Sequence, residues 1–365
     1  MKFLILSSDT SGDRDSVASA VSEAAENAGI ECVIADPSAL TEETAGSYKK
    51  LIRRIPGAKY VIRGAGKLYS KTGLSTRFQG SSFIKSLNSI ISSGGFDAVI
   101  SADKTVTETI TGHEIAAPFY AVLTDYTCPN IKKNAPFDTY FIPHESMRDE
   151  LIARNIPPEK ISVFGVPVPM RFKKQLGKRA ARNYLVIPQN RKVYLLLASG
   201  MSAGSAEEIC DGLIKTETGD FSVYCLVGRE SETKDALLQK YHNNSKIQVI
   251  TFTEKINIYM EAADVVLSQP FGITSAEAAV SAVPLVHITP LTGWDKTADF
   301  FSSHEMSLKG FDVRDIVKKA NRLLENRAAA DRMRVIQKSN CPSDGAEKIV
   351  RSIIELTRKK RRITT

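Results

Sequence analysis

Phe3-Leu4-Ile5-Leu6, then Ser7-Ser8-Asp9-Thr10-Ser11-Gly12-Asp13-Arg14-Asp15, then an Ala- and Glu-rich run from about Ser16 to Asn27 open this chain. A wholly apolar strand, a small polar loop and a helix make the repeating unit of a parallel sheet covered on both faces. The unit recurs along the chain. Further apolar strands are predicted at Cys32–Ala35, Ala98–Ser101, Phe119–Thr124 and Tyr140–Pro143, with helices at Thr105–Ile115 and Ser146–Arg154. After Gly165-Val166-Pro167-Val168-Pro169, the basic polar stretch Arg171–Arg182 has the composition of a linker. The alternation then restarts. Strands are predicted at Tyr194–Ala198, Ser222–Val227, Ile247–Thr251, Val265–Ser268 and Leu285–Ile288, with helices at Ser205–Lys215, Ser231–Tyr241, Ile256–Ala262 and Ser275–Ser281.

The expectation is an α/β protein of two Rossmann-like, doubly wound lobes facing a cleft. Residues 1–170 would form the first lobe and 171–345 the second, with 346–365 a C-terminal helix and basic tail packing back on the first lobe. In that tail Ile349, Val350, Ile353 and Leu356 fall on one helical face. A length of 365 residues with 42% hydrophobic content suits two cores better than one. The formal charge of +8 and a pI near 9.1 favour an anionic partner. Five dispersed cysteines without a CxxC pair suggest neither a disulfide framework nor a zinc site, and a reducing cytosol is the expected home. No apolar stretch approaches membrane-spanning length, so membrane contact is expected to be peripheral.

Three loops lie where open α/β folds bind ligands, after a strand and before a helix. The first, Ser7–Asp15, lacks both GxGxxG and GxxxxGK, and Asp15 or Ser16 would cap the helix. The second, Ala198-Ser199-Gly200-Met201-Ser202-Ala203-Gly204-Ser205, is built of small residues that let backbone N–H groups approach a phosphate. The third is Gln269-Pro270-Phe271-Gly272-Ile273-Thr274-Ser275-Ala276-Glu277. Two accounts of it compete: a capping box between Thr274 and Glu277, or a carboxylate at Glu277 accepting from vicinal ribose hydroxyls. Between Thr44 and Phe96 no acidic residue occurs, while Arg53, Arg54, Arg63, Lys67, Lys71 and other cations alternate with apolar and aromatic residues. Such a segment suits an anionic lipid surface, at roughly 1 kcal/mol per well-placed cation. No nucleic-acid module is present, and no nucleic acid is expected as a partner.

In order along nearly the whole chain, these features resemble the GT-B glycosyltransferases of the diacylglycerol glucosyltransferase and monogalactosyldiacylglycerol synthase family. The residues that carry the resemblance are the first-strand loop, Val122-Leu123-Thr124-Asp125-Tyr126, the run Lys160–Phe172, Ser268–Ala279 and Gly293-Trp294-Asp295-Lys296-Thr297-Ala298-Asp299-Phe300-Phe301. The resemblance implies an inverting enzyme that moves a hexose from a UDP-sugar to diacylglycerol or a related lipid. It implies a protein that is cytoplasmic and attached peripherally to the inner face of the cell membrane. The second lobe would hold the donor, with ribose on Glu277, diphosphate near Ser202, Ala203 and Gly272-Ile273-Thr274, and the sugar beside Trp294 and Asp295. The first lobe would present the lipid through its basic segment. No cofactor or metal is implied beyond the UDP-sugar as co-substrate, the magnesium requirement being left open.

The chain departs from the family where a glycine-rich loop ends in His. Ser11-Gly12-Asp13-Arg14 stands there, and no His precedes His113. Pro129 and Lys132 replace a His and an aromatic after Asp125, Phe271 replaces a Gly, and Trp294 a Gln. Asp13 is therefore the first candidate for the base that takes the acceptor's proton, and Asp125 the second. His113 and His144 read as helix-end or core histidines. Alternatives are transfer to a polyisoprenyl-linked acceptor, epimerisation of a UDP-sugar, and a nucleotide-sugar-binding protein without turnover.

Overall fold

The computed structural model describes residues 1–8, 16–40, 53–55, 59–62, 81–112, 114–132, 134–228, 232–289 and 296–364. The chain divides into two compact units, Met1–Met170 with Asp344–Thr365, and Arg171–Ser343.

The first unit is built on an eight-stranded sheet of β1 (Lys2–Leu6), β2 (Glu31–Ala35), β3 (Arg53–Ile55), β4 (Lys59–Ile62), β5 (Ala98–Ser101), β6 (Phe119–Val122), β7 (Thr139–Ile142) and β8 (Ile161–Val163). Their order is β3-β4-β2-β1-β5-β6-β7-β8, parallel throughout except that β3 runs antiparallel to β4. The central strands are apolar at every position because helices cover both faces. Leu4, Leu6, Val33, Val99 and Phe119 share one core with Phe83, Ile84, Leu87 and Ile91 of α2 (Ser81–Gly94). α1 (Ser16–Asn27) packs on β1, β2 and the C-terminal helix Gly345–Thr364. That helix buries Ile349, Val350 and Ile353, bonds Thr357 Oγ1 to the Tyr120 hydroxyl at 3.1 Å and pairs Lys360 with Asp138.

Gly345 marks where the chain re-enters the first unit. A Cβ there would lie 2.7 Å from the Phe164 carbonyl oxygen and 3.5 Å from those of Gly165 and Val166. Backbone cannot yield as a flexible side chain can. Gly345→Ala is expected to cost about 1–3 kcal/mol, read as a lower urea midpoint at unchanged slope.

The helix predicted at Thr105–Ile115 is shorter, α3 (Lys104–Thr109): Ile110 leaves helical geometry and Gly112 turns the chain at φ +69°. α4 (Ser146–Ala153) follows His144, whose Nδ1 accepts from the Ser146 N–H at 3.2 Å, a helix-end role; His113 lies outside the described residues.

The second unit carries α5 (Met170–Lys173), whose first residue closes the first unit, α6 (Lys178–Tyr184), β9 (Lys192–Leu197), α7 (Ala203–Thr216), β10 (Phe221–Leu226), α8 (Glu232–Tyr241), β11 (Ile247–Ile250), α9 (Ile256–Ala262), β12 (Val265–Ser268), α10 (Gly272–Val280), β13 (Leu285–Ile288), α11 (Lys296–Ser303), β14 (Leu308–Gly310), α12 (Val313–Glu325) and α13 (Arg327–Asn340). Its sheet is parallel in the order β11-β10-β9-β12-β13-β14. The chain steps outward from β9 in one direction and resumes at β12 in the other, so the strand order reverses between β9 and β12.

The stretch Arg171–Arg182 is not a linker. It forms α5 and α6, and Arg182 is 3% exposed, donating from Nε to the Ala262 carbonyl at 3.0 Å and pairing with Asp264 at 2.9 Å. Of its basic residues Lys178 and Arg182 pair with the distant Asp264, while Lys173, Lys174 and Arg179 are exposed.

Candidate functional site

The switch point between β9 and β12 organises the second unit's site. After β9 the backbone turns through Gly200 at φ +80°, a conformation an L side chain resists. Ser202 then caps α7, its Oγ accepting from the Ser205 N–H at 3.2 Å. A Cβ on Gly200 would meet Gln269 Oε1 at 3.3 Å and the Phe271 ring at 4.0 Å. The loops after β9 and β12 are therefore in contact where Gly200 meets Gln269 and Phe271. A Cβ on Gly228 would lie 3.7 Å from Ser199 Oγ, so the loop after β10 adjoins as well.

α10 begins at Gly272, two residues before Thr274. This removes the capping-box account: Thr274 is the third helical residue, and Phe271 is the N-cap. Phe271 offers no side-chain bond, only its carbonyl to the Ser275 N–H at 2.8 Å. The first-turn N–H groups of Gly272, Ile273 and Thr274 thus have no side-chain cap at the end where the helix dipole is positive. Glu277, one turn in, is 6% exposed. Phe271 itself is 55% exposed beside Gly200.

Behind α10 lies a histidine that the sequence did not single out. His287 on β13 is fully buried, with Nε2 2.9 Å from Ser275 Oγ and Nδ1 3.1 Å from Ser307 Oγ. Phe301 meets its ring edge-on at 5.4 Å between centroids. Burial pushes its pKa down to about 3, so the ring is neutral and fixes α10 to the sheet through Ser275.

In the first unit Asp125 follows β6 at the carboxyl end of the sheet, 3.5 Å from Lys104 Nζ. The two line a small hollow with Ala102, Thr107, Thr124 and Thr127. Lys104 begins α3, capped by Asp103, which accepts from the Val106 N–H at 2.8 Å. That lysine was also not singled out by the sequence. Asp13, with the cap proposed at Asp15, lies outside the described residues, as do Trp294, Asp295, Arg63, Lys67 and Lys71; Arg53 and Arg54 lie in β3, their side chains outside the description.

Residues 15–168 match the model of the monogalactosyldiacylglycerol (MGDG) synthase family. The chain is 24% identical over 242 residues to the processive diacylglycerol beta-glucosyltransferase of Bacillus licheniformis, covering 65% of this chain and 62% of that protein. It is 23% identical over 241 residues to the enzyme of the same name from Bacillus subtilis, covering 65% and 63%. The chain thus spans less than two thirds of the length of these relatives. Among solved structures, UDP-GlcNAc 2-epimerase from Neisseria meningitidis bound to UDP-GlcNAc superposes with TM-score 0.67 at 16% identity, covering 97% of this chain and 100% of that one. WaaG, a glycosyltransferase involved in lipopolysaccharide biosynthesis, superposes with TM-score 0.60 at 13% identity, covering 96% and 98%. These likenesses establish the GT-B fold. Through its residues 15–168 the chain matches the monogalactosyldiacylglycerol synthase family, and the resemblance drawn from the order of its motifs is borne out.

Proposed function

We propose that this protein transfers a hexose from a UDP-sugar to diacylglycerol or a related membrane lipid, with inversion at the anomeric carbon. The observation that carries the reading is the switch-point crevice, where an uncapped helix N-terminus, a glycine turn in contact with it and a buried carboxylate one turn along form one constellation. The N–H groups at the start of α10 receive the diphosphate, and Glu277 accepts from the ribose hydroxyls. An aspartate of the first unit, Asp13 or Asp125, takes the proton of the acceptor hydroxyl as its oxygen bonds to the anomeric carbon. The bond from that carbon to the diphosphate oxygen breaks with its electron pair, leaving UDP. The helix dipole stabilises the leaving charge without reorganisation.

Membrane attachment rests on the acid-free basic segment between Thr44 and Phe96. Among the described residues no helix is long and apolar enough to cross a membrane.

Incubation with mixed UDP-sugars and anionic vesicles containing diacylglycerol, followed by mass spectrometry of the lipids, tests the reading. A glycosylated diacylglycerol and an equal yield of free UDP are expected; absence of both sinks it. Asp13→Asn and Asp125→Asn, assayed side by side, identify the base as the position whose loss abolishes turnover while UDP binding persists. Gly200→Ala is expected to weaken UDP binding and to cost about 1–2 kcal/mol of stability from its backbone conformation alone. Unchanged UDP affinity in that variant would detach the glycine turn from the donor site.

A further inference from the structure

At the opposite edge of the second unit's sheet lies a cavity of about 680 Å³, within the size range of small-molecule sites. Lys192 at the start of β9 and Asp264 just before β12 mark it as the amino-terminal edge, away from the switch point. Its lining holds seven cationic side chains and three carboxylates, Glu261, Asp264 and Asp331, and two of the cations, Arg191 and Lys192, are already paired with Asp220 and Glu217.

The charge is gathered at two ends, each with one carboxylate facing two cations. At one end Asp264 pairs with both Lys178 and Arg182, and also accepts from the Val193 N–H at 2.7 Å. At the other, Asp331 pairs with Arg334 at 2.6 Å and Arg327 at 3.6 Å, and Lys338 stands one helical turn beyond Arg334 on α13. The Asp331 end therefore carries surplus positive charge, three cations against one carboxylate, whereas at the Asp264 end Glu261, bonded beside Lys178, offsets the second cation. The two ends also sense each other: burial lowers the pKa of Lys178, and beyond the pull of Asp264 both Arg182 and Arg334 act in the same direction as burial. Glu261, 8% exposed, bonds through one oxygen to the Gly177 N–H at 2.8 Å, and its other oxygen, Oε1, has no hydrogen-bond partner. A ligand hydroxyl would satisfy that atom.

We propose that this cavity is a second ligand site, for a small phosphate-bearing molecule whose anionic group meets Arg334 and Lys338 at the Asp331 end, either free in solution or as the headgroup of a phospholipid. It is independent of the donor crevice and does not rest on the transferase reading.

Calorimetric titration with pyrophosphate tests the site, the cavity variants separating it from any binding at the switch point. Wild-type protein should bind, and Arg334→Gln/Lys338→Gln should bind about tenfold more weakly or worse. Lys338→Gln alone, an exposed position that folding tolerates, should give a smaller loss of the same sign. Absence of binding at millimolar pyrophosphate, or equal affinity in all three proteins, overturns the proposal. Co-sedimentation with phosphatidylcholine vesicles, with and without phosphatidylglycerol, separates the two sources. A loss of phosphatidylglycerol-dependent binding in the double variant identifies a headgroup, and unchanged vesicle binding beside lost pyrophosphate binding identifies a soluble ligand.

Discussion

Glu277→Gln is expected to weaken UDP binding by about ten- to a hundredfold, the loss of a charge-assisted hydrogen bond worth roughly 1.5–3 kcal/mol. The side chain is 6% exposed on the first turns of α10, where a carboxylate can accept two vicinal hydroxyls at once. An amide of the same shape keeps one acceptor and turns the other into a donor, so the packing survives while the recognition is halved. Calorimetric titration with UDP and with uridine separates the contributions. The glutamine should cost both ligands alike, because both carry the ribose, whereas a change at Gly200 should penalise UDP more than uridine. Should Glu277→Gln bind UDP as tightly as wild type with an unaltered melting temperature, Glu277 is not the ribose acceptor.

What made this arrangement legible from residues alone was the parallel sheet. Strands buried on both faces show as short runs without polar interruption, and Ala98–Ser101, Val265–Ser268 and Leu285–Ile288 are found where those runs predict them. The strands that escaped notice are three or four residues long or polar, such as β14, Leu308-Lys309-Gly310, and β3, Arg53-Arg54-Ile55. Their pairing is supplied by a neighbour and not by their own pattern.

Charge misled in a different way. Arg171–Arg182 has a solvated composition, yet Arg182 is buried because Asp264, far along the chain, waits for it. The site divides on the same principle. Glu277 and the two Gly- and Ser-containing loops announce themselves because each is a local strand-to-helix feature. The helix start at Gly272 in place of a cap at Thr274 is also local, but Pro270 and Phe271 obscure it. His287 has no local signal at all: Leu285-Val286-His287-Ile288 reads as an ordinary strand, and its partners Ser275 and Ser307 lie 12 and 20 residues away.

That histidine is expected to make the second unit acid-sensitive. In the unfolded chain its pKa is near 6.5, and in the folded protein burial pushes it down to about 3. Between these values the unfolded state binds a proton that the native state refuses, so stability rises with pH across the window and falls on acidification. At pH 5 the loss attributable to this one ring is about 2 kcal/mol relative to pH 7. The cost comes from desolvation, since both serine hydroxyls can rotate to accept from a protonated ring. Urea denaturation from pH 7.5 to pH 4.5 measures the slope, and His287→Gln supplies the comparison. The variant should be less stable than wild type at pH 7, having given up a well-packed ring, but the two stability curves should converge as pH falls below 6.5. Parallel curves would mean that the ring is reached by water and titrates near its ordinary value. Because Ser275 ties the ring to α10 two residues before Glu277, the same titration should loosen α10 first, seen as earlier amide exchange in Gly272–Val280 than in β9 at pH 5.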